Sequence, residues 1–170
     1  MAEPAKTGNG GGIQPGAGDA KQVQVRVLGQ YIKDLSFENP NVSKLLESPG
    51  EGPNLRVEVN VNASKIKDDI YESAILLKAE ATSTKLGTIY DLELAYAGMF
   101  QLENMPEASL QPFLLINCPS LLFPFARRIA ADLTREGGFP PLLLDPIDFA
   151  SLFVKRQQEQ QAQAQSKPAN

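Results

Sequence analysis

From Leu55 to Ala63 apolar and polar side chains alternate without a break. Leu55, Val57, Val59, Val61 and Ala63 fall on one side, and Arg56, Glu58, Asn60 and Asn62 on the other. A period of two is the mark of an antiparallel strand with one buried face. Val23, Val25 and Val27, interleaved with Gln24 and Arg26, begin a similar strand that runs toward Phe37 and stops at Asn39-Pro40-Asn41. Residues 70–84 gather Tyr71, Ser73, Ile75, Leu77 and Ala79 opposite Glu72, Lys78 and Glu80. Residues 88–100 gather Tyr90, Leu92, Leu94 and Tyr96 opposite Asp91 and Glu93. Leu86-Gly87 between these two is short enough for a hairpin turn. Residues 64–69 read as a polar loop. Residues 39–54 are longer, and hold Val42, Leu45 and Leu46 among proline, glycine and serine. Such a segment is expected to cross over the sheet edge, and its apolar side chains make it a candidate binding element.

After Pro106 the period lengthens. Pro106-Glu107 opens a short apolar helix to about Ile116. Ser120 is placed to cap a second helix, with Pro124 still in its first turn, where a missing N–H costs little. Leu122, Phe125, Ile129 and Leu133 then recur at helical spacing, and Gly137-Gly138 ends the run. Asp145-Pro146 resembles a cap followed by proline at the first helical position, and Phe149, Leu152 and Phe153 give the last helix one apolar face. Strands first and helices afterwards predict an α+β layer fold, not an alternating α/β one.

Composition sets the borders and narrows the chemistry. Residues 1–21 hold six of the thirteen glycines and almost no large apolar side chain, so this extension is expected to be disordered. It also lacks the apolar run of a signal peptide. From Gln157 to Asn170 there are six glutamines and no large apolar residue, which predicts a last helix fraying into a flexible tail. The folded domain is therefore placed at residues 22–156. No run of about 18 apolar residues is seen, so no membrane insertion is expected. Residues 22–154 carry 11 basic and 17 acidic side chains, a net of −6 against −4 for the whole chain. That balance, without a Lys/Arg cluster, argues against nucleic acid as a partner.

The 170 residues include no histidine, no tryptophan and one cysteine, Cys118. A Ser-His or Cys-His pair, a histidine-ligated metal, a cysteine zinc site and an intrachain disulfide are thereby excluded. The lone cysteine fits a reducing cytoplasm. At a helix entrance its thiol pKa could be lowered, though a buried structural thiol is the simpler reading. Asp68-Asp69 are adjacent carboxylates in a polar loop, and Gly10-Gly11-Gly12 has no strand before it or helix after it, so neither is a catalytic or phosphate site. What remains is an excess of apolar residues in Phe139-Pro140-Pro141-Leu142-Leu143-Leu144, between two helices. Either this segment packs on its own sheet, or with the 42–46 segment it lines an accessible apolar groove of the kind that marks binding.

Four segments together resemble the SecB family of bacterial protein-export chaperones. They are Tyr31-Ile-Lys-Asp-Leu-Ser-Phe-Glu-Asn-Pro-Asn41, Asp68-Asp-Ile-Tyr-Glu72, Cys118-Pro-Ser-Leu-Leu-Phe-Pro-Phe-Ala-Arg127 and Phe139-Pro-Pro-Leu-Leu-Leu-Asp-Pro-Ile-Asp-Phe149. In order and spacing they cover residues 22–156. The resemblance implies a four-stranded antiparallel sheet with C-terminal helices on one face, assembled as a dimer of dimers. It implies an ATP-independent holdase that binds unfolded preproteins and passes them to the SecA ATPase, without cofactor or catalysis. The family's zinc belongs to SecA, and no ligand set for it exists here. Carried over by position, the client groove involves Leu45, Leu46, Leu55, Val57, Val59, Phe139, Leu142 and Leu144, each of which also has a reading as core. The SecA contact maps to Asp34, Glu38 and Glu93. Asp91 stands where the family is expected to have an apolar residue, which makes this face more negative. The 120–136 helix is expected to form the homotetramer. Two rivals stay open: a SecB-like chaperone dedicated to one antitoxin client, and a small-molecule carrier with a cavity beneath the 139–144 segment.

Overall fold

The computed structural model describes residues 22–47 and 52–166. The proposed 1–21 extension and the end of the tail, residues 167–170, lie outside them. The chain forms β1 (Gln24–Glu38), a short helix α1 (Val42–Glu47), β2 (Asn54–Lys67), β3 (Ile70–Ser83) and β4 (Gly87–Glu103). Then follow α2 (Glu107–Pro112), a π-helical segment (Phe113–Asn117), α3 (Cys118–Glu136) and α4 (Phe149–Ser166). The strands make one antiparallel sheet in the order β1-β4-β3-β2, so β1 and β2 are its edges.

The alternation seen in the sequence becomes the register of the central strands. Tyr71, Ser73, Ile75, Leu77 and Ala79 of β3 lie opposite Phe100, Gly98, Tyr96, Leu94 and Leu92 of β4, and all ten are buried. Removing this face from water is the main driving force for the fold, at about 25 cal/mol per Å² of apolar surface. The helices cover the centre of the sheet and thin out toward its edges. Along β2, Val61 is buried, Val59 half-buried and Val57 and Leu55 exposed. Along β1, Val25, Val27, Ile32 and Leu35 remain exposed. Two register shifts, at Val27/Gly29 and Ile32/Asp34, interrupt its simple alternation.

Several predicted boundaries are corrected. Residues 64–67 are strand, and only Asp68 and Asp69 turn; Asp68 takes a positive φ of 44°, a conformation Asp tolerates. The β3–β4 turn occupies 84–86 and closes on Gly87 at φ 74°, where glycine carries no Cβ penalty. The crossover from one sheet edge to the other is not a bare loop but contains α1. Asn41 ties it down, its Nδ2 donating to the Leu86 and Thr88 carbonyls at 3.0 and 2.8 Å.

The two predicted helices before Gly137 are one run from Glu107 to Glu136, joined through the π segment. Ser120 does not cap it; its hydroxyl donates back to the Ile116 carbonyl at 2.6 Å. This run is long and apolar enough to cross a bilayer by length and composition, contrary to the sequence reading, but Leu122, Ala126 and Ala130 lie in the core against the sheet. Asp145-Pro146 does not start the last helix either. Residues 139–148 are extended, and Asp148 caps α4 by accepting from the Ser151 N–H at 3.0 Å. Helix α4 continues past Gln157 to Ser166, so the glutamine-rich stretch is helical further than expected.

Candidate functional site

Two open clefts, of about 940 and 630 Å³, adjoin each other where β2, the π segment and α4 meet. Ala63, Tyr71, Leu110 and Leu114 line the larger, Val59, Val61 and Leu152 the smaller, and Leu115, Phe153 and Arg156 line both. Arg156 closes the site on one side, donating from Nη1 to the Val61 carbonyl at 2.6 Å. That contact shows which way the edge backbone points. In an antiparallel strand alternate residues turn both backbone groups outward, so Val57 and Val59 share the outward orientation of Val61. Charged and amide side chains share the lining, Lys33, Asp34, Glu72 and Gln157 in the larger cleft and Glu58, Asn60, Lys155 and Glu159 in the smaller, so the site offers mixed apolar and polar walls beside an unpaired strand edge.

Of the eight apolar residues assigned to the groove, Val59 lines the smaller cleft. Leu46 is 72% exposed, and Leu55 and Val57 are exposed on β2. Leu45 and Leu144 are half-buried and packed on the core. Phe139 and Leu142 correct the expectation of an accessible loop, being only 9% and 6% exposed. Phe139 closes an aromatic row, its ring 5.1 Å from Tyr90, which lies 5.8 Å from Phe37. The Leu142 N–H is held at 2.8 Å by the hydroxyl of buried Thr134. Leu143, next after Leu142 in sequence, points outward at 79% exposure. Phe139 and Leu142 of the 139–144 segment therefore pack on their own subunit, while Leu143 faces solvent. Leu110, Leu114 and Leu115 were not singled out from sequence, since a helix pattern alone does not tell a core stripe from a cleft wall.

The other sheet face mixes carboxylates with Ala74, Leu76 and Ala95, and it reaches the larger cleft, which Lys33, Asp34 and Glu72 help to line. Glu38 lies opposite Asp91, Ser36 opposite Glu93 and Asp34 opposite Ala95, so register brings all four assigned carboxylates onto one surface. Lys78 of β3 sits among them, its Nζ 2.6 Å from Glu93 and 3.6 Å from Asp91. The carboxylates raise its pKa, Glu93 most. Further along, buried Glu72 accepts from Tyr31 and Lys33, each at 2.5 Å, and so joins β3 to β1 across Ala97. Lys33 and then Tyr31 hold the Glu72 carboxyl below its usual range, and accepting from Tyr31 pushes that phenol up to about 12. Cys118 is fully buried, and burial pushes its thiol up to about 12, which removes the reading of an activated nucleophile. Among the described residues no three His, Cys, Asp or Glu side chains are grouped to hold a metal.

The family model described as preprotein translocase subunit SecB matches residues 18–160. The protein-export protein SecB of Bradyrhizobium sp. (strain BTAi1) is 48% identical over 159 residues, covering 92% of this chain and 94% of that protein. That of Afipia carboxidovorans is 49% identical over 148 residues, covering 85% and 90%. Among solved structures, a SecB-like chaperone of Mycobacterium tuberculosis in complex with an antitoxin peptide has a TM-score of 0.59 at 14% identity, covering 72% of this chain and 90% of that one. At that identity it shows a shared fold. With the sheet order, the helix layer and relatives nearly half identical over most of its length, the chain belongs to the SecB family of protein-export chaperones.

Proposed function

We propose that this export chaperone acts as an ATP-independent holdase whose client surface is the β2 edge. An extended precursor segment lies along Leu55, Val57 and Val59, with Leu46 and Leu45 of the crossover on one side and the clefts at Leu115 and Phe153 on the other. Phe139 and Leu142 stay in the core, against Tyr90 and Thr134, and add no accessible contact, while Leu143 and Leu144 extend the surface. The observation that carries the reading is an open furrow of mixed lining beside an unpaired strand edge: the edge meets stretched backbone, Val59, Leu115 and Phe153 meet apolar side chains, and the charged rim meets polar ones, which together suit clients of varied sequence. About 400 Å² of apolar contact gives roughly 10 kcal/mol before ordering costs, so one furrow binds loosely.

The functional domain is residues 22–156, and a homotetramer built as a dimer of dimers multiplies the furrow. Two uncovered strips support this assembly: Val25, Val27, Ile32 and Leu35 on edge strand β1, and Leu121 and Phe125 on α3. The acidic face at Asp34, Glu38, Asp91 and Glu93 docks SecA, which receives the client. The chaperone works in the cytoplasm, where precursors are met before export.

The direct test mixes the chain with a slow-folding precursor and follows refolding and aggregation. Both are expected to be suppressed at equimolar tetramer, and no change in either rejects the holdase reading. Pull-down recovers many precursors; a single dominant antitoxin partner would favour a dedicated chaperone instead. Glu93→Lys is expected to weaken SecA binding while leaving client binding intact, and to make the salt dependence of the contact shallower. Equal loss of both activities, or of neither, removes the docking assignment.

A further inference from the structure

The helix that forms the cleft wall carries an internal fault, and the sheet repairs it. Within the π segment hydrogen bonds run from residue i+5 to residue i, as the Cys118 N–H to the Phe113 carbonyl illustrates. The next bond in that register would join residue 119 to the Leu114 carbonyl. Residue 119 is proline and has no N–H to give. The Leu114 carbonyl is not left orphaned, because the Ser73 hydroxyl of β3 donates to it at 2.8 Å in a buried setting. Ser73 is itself fully buried, and Pro119 beside it is buried too. Opposite Ser73 in the sheet stands Gly98, where an added Cβ would come within 2.8 Å of Leu122. Helix and sheet are therefore in tight contact near where a proline removes a donor and a serine supplies one.

The consequence reaches the cleft. One extra residue per π turn rotates the helix before it by about 100° relative to the helix after it. Leu122, Ala126 and Ala130 of α3 thus pack in the core, which Leu114 also joins at the base of the larger cleft, while half-buried Leu110 and Leu115 form the cleft wall. We infer that Ser73 is a positioning residue for client binding: by replacing the donor that Pro119 lacks, it holds the π register and aims the Leu110–Leu115 wall into the furrow. This rests on the reading of the furrow as the client surface.

A double-mutant cycle in the full-length chain tests it, with Ser73→Ala, Pro119→Ala and the pair. Ser73→Ala strands a buried carbonyl and is expected to lower the unfolding midpoint by roughly 5 °C. It is also expected to weaken binding of reduced, carboxymethylated α-lactalbumin, a permanently unfolded probe, by about fivefold at unchanged oligomer mass. In the Pro119→Ala background the restored N–H can take the Leu114 carbonyl, so removing the serine hydroxyl should cost little in either measurement. Additive losses in the cycle overturn the lock, as does full probe affinity in Ser73→Ala. Leu115→Lys separates the two readings. If the midpoints couple as expected but Leu115→Lys binds the probe normally, the furrow assignment fails, and with it the role of Ser73 in binding. If Leu115→Lys loses the probe while the midpoints add, the furrow stands and the positioning role falls.

Discussion

At the scale of single residues, the informative side chains are polar groups that the fold has enclosed. Glu72 is a carboxylate at 11% side-chain exposure, paired with Lys33 and Tyr31 of an edge strand that has one neighbour. Its lowered pKa defines a pH window. A carboxyl whose folded pKa lies below its unfolded value of about 4.3 stabilises the protein fully above that value, and the contribution disappears as pH falls through the folded pKa. Glu72→Gln is expected to cost about 1–2 kcal/mol at pH 7, less than a fully buried pair because Lys33 is 52% exposed. It should also flatten the loss of stability below pH 4.3. Thermal unfolding between pH 3 and pH 7 checks both; an unchanged slope on the acid side removes the assignment to Glu72. Nothing in the sequence marks this residue, since Glu72 occupies the polar side of an ordinary alternation. Only the register that places Tyr31 opposite Ala97 lets the phenol reach across a small neighbour to the next strand.

At the scale of elements, Thr134 decides how the chain leaves α3. Its hydroxyl donates to the Ala130 and Ala131 carbonyls and accepts the Leu142 N–H. With the Phe139 N–H bonded to the Thr134 carbonyl at 3.0 Å, this fastens the extended 139–148 segment under the sheet end. Thr134→Val keeps the shape and removes the acceptor, so a buried N–H goes unsatisfied at a cost of about 1–3 kcal/mol. Denaturant unfolding measures it, and a neutral result shows that the segment is held by Phe139 and Leu142 packing alone. The elements also show what periodicity conveys. Strands β3 and β4 were legible because each buries one face, and a buried face leaves a period of two; β2 carries the same alternation although Val61 is its one buried residue. Helix α1 was not, because six residues are too few to establish a helical period and Pro and Gly flank them. The join at the π segment was hidden for a different reason. Pro119 and Pro124 imply a break by local rules, and the compensation comes from Ser73, some 40 residues away in sequence. Local chemistry likewise favoured Asp145-Pro146 as a cap, but Thr134 and the buried Phe139 and Leu142 keep the chain extended until Asp148.

At the scale of the whole molecule, the uncovered strips bear on the proposed furrow. Leu121 and Phe125 of α3 are exposed beside the buried stripe of Leu122, Ala126 and Ala130, and the Phe125 ring lies 6.3 Å from Tyr96, close to stacking. A chaperone that must release its client gains from weak individual sites, and recovers retention by presenting several to one long chain, because each further contact forms at high effective concentration. Assembly and client length should therefore be coupled. Phe125→Asp places a charge in the proposed interface and is expected to shift the mass measured by light scattering below that of the tetramer. Long unfolded chains should then bind about a hundredfold more weakly, whereas a peptide just long enough for one furrow should keep its affinity. The contrast between the two ligands is the decisive measurement. Equal loss for both means that Phe125 shapes the furrow itself; equal retention means that one subunit already holds the whole client, and the argument from avidity fails.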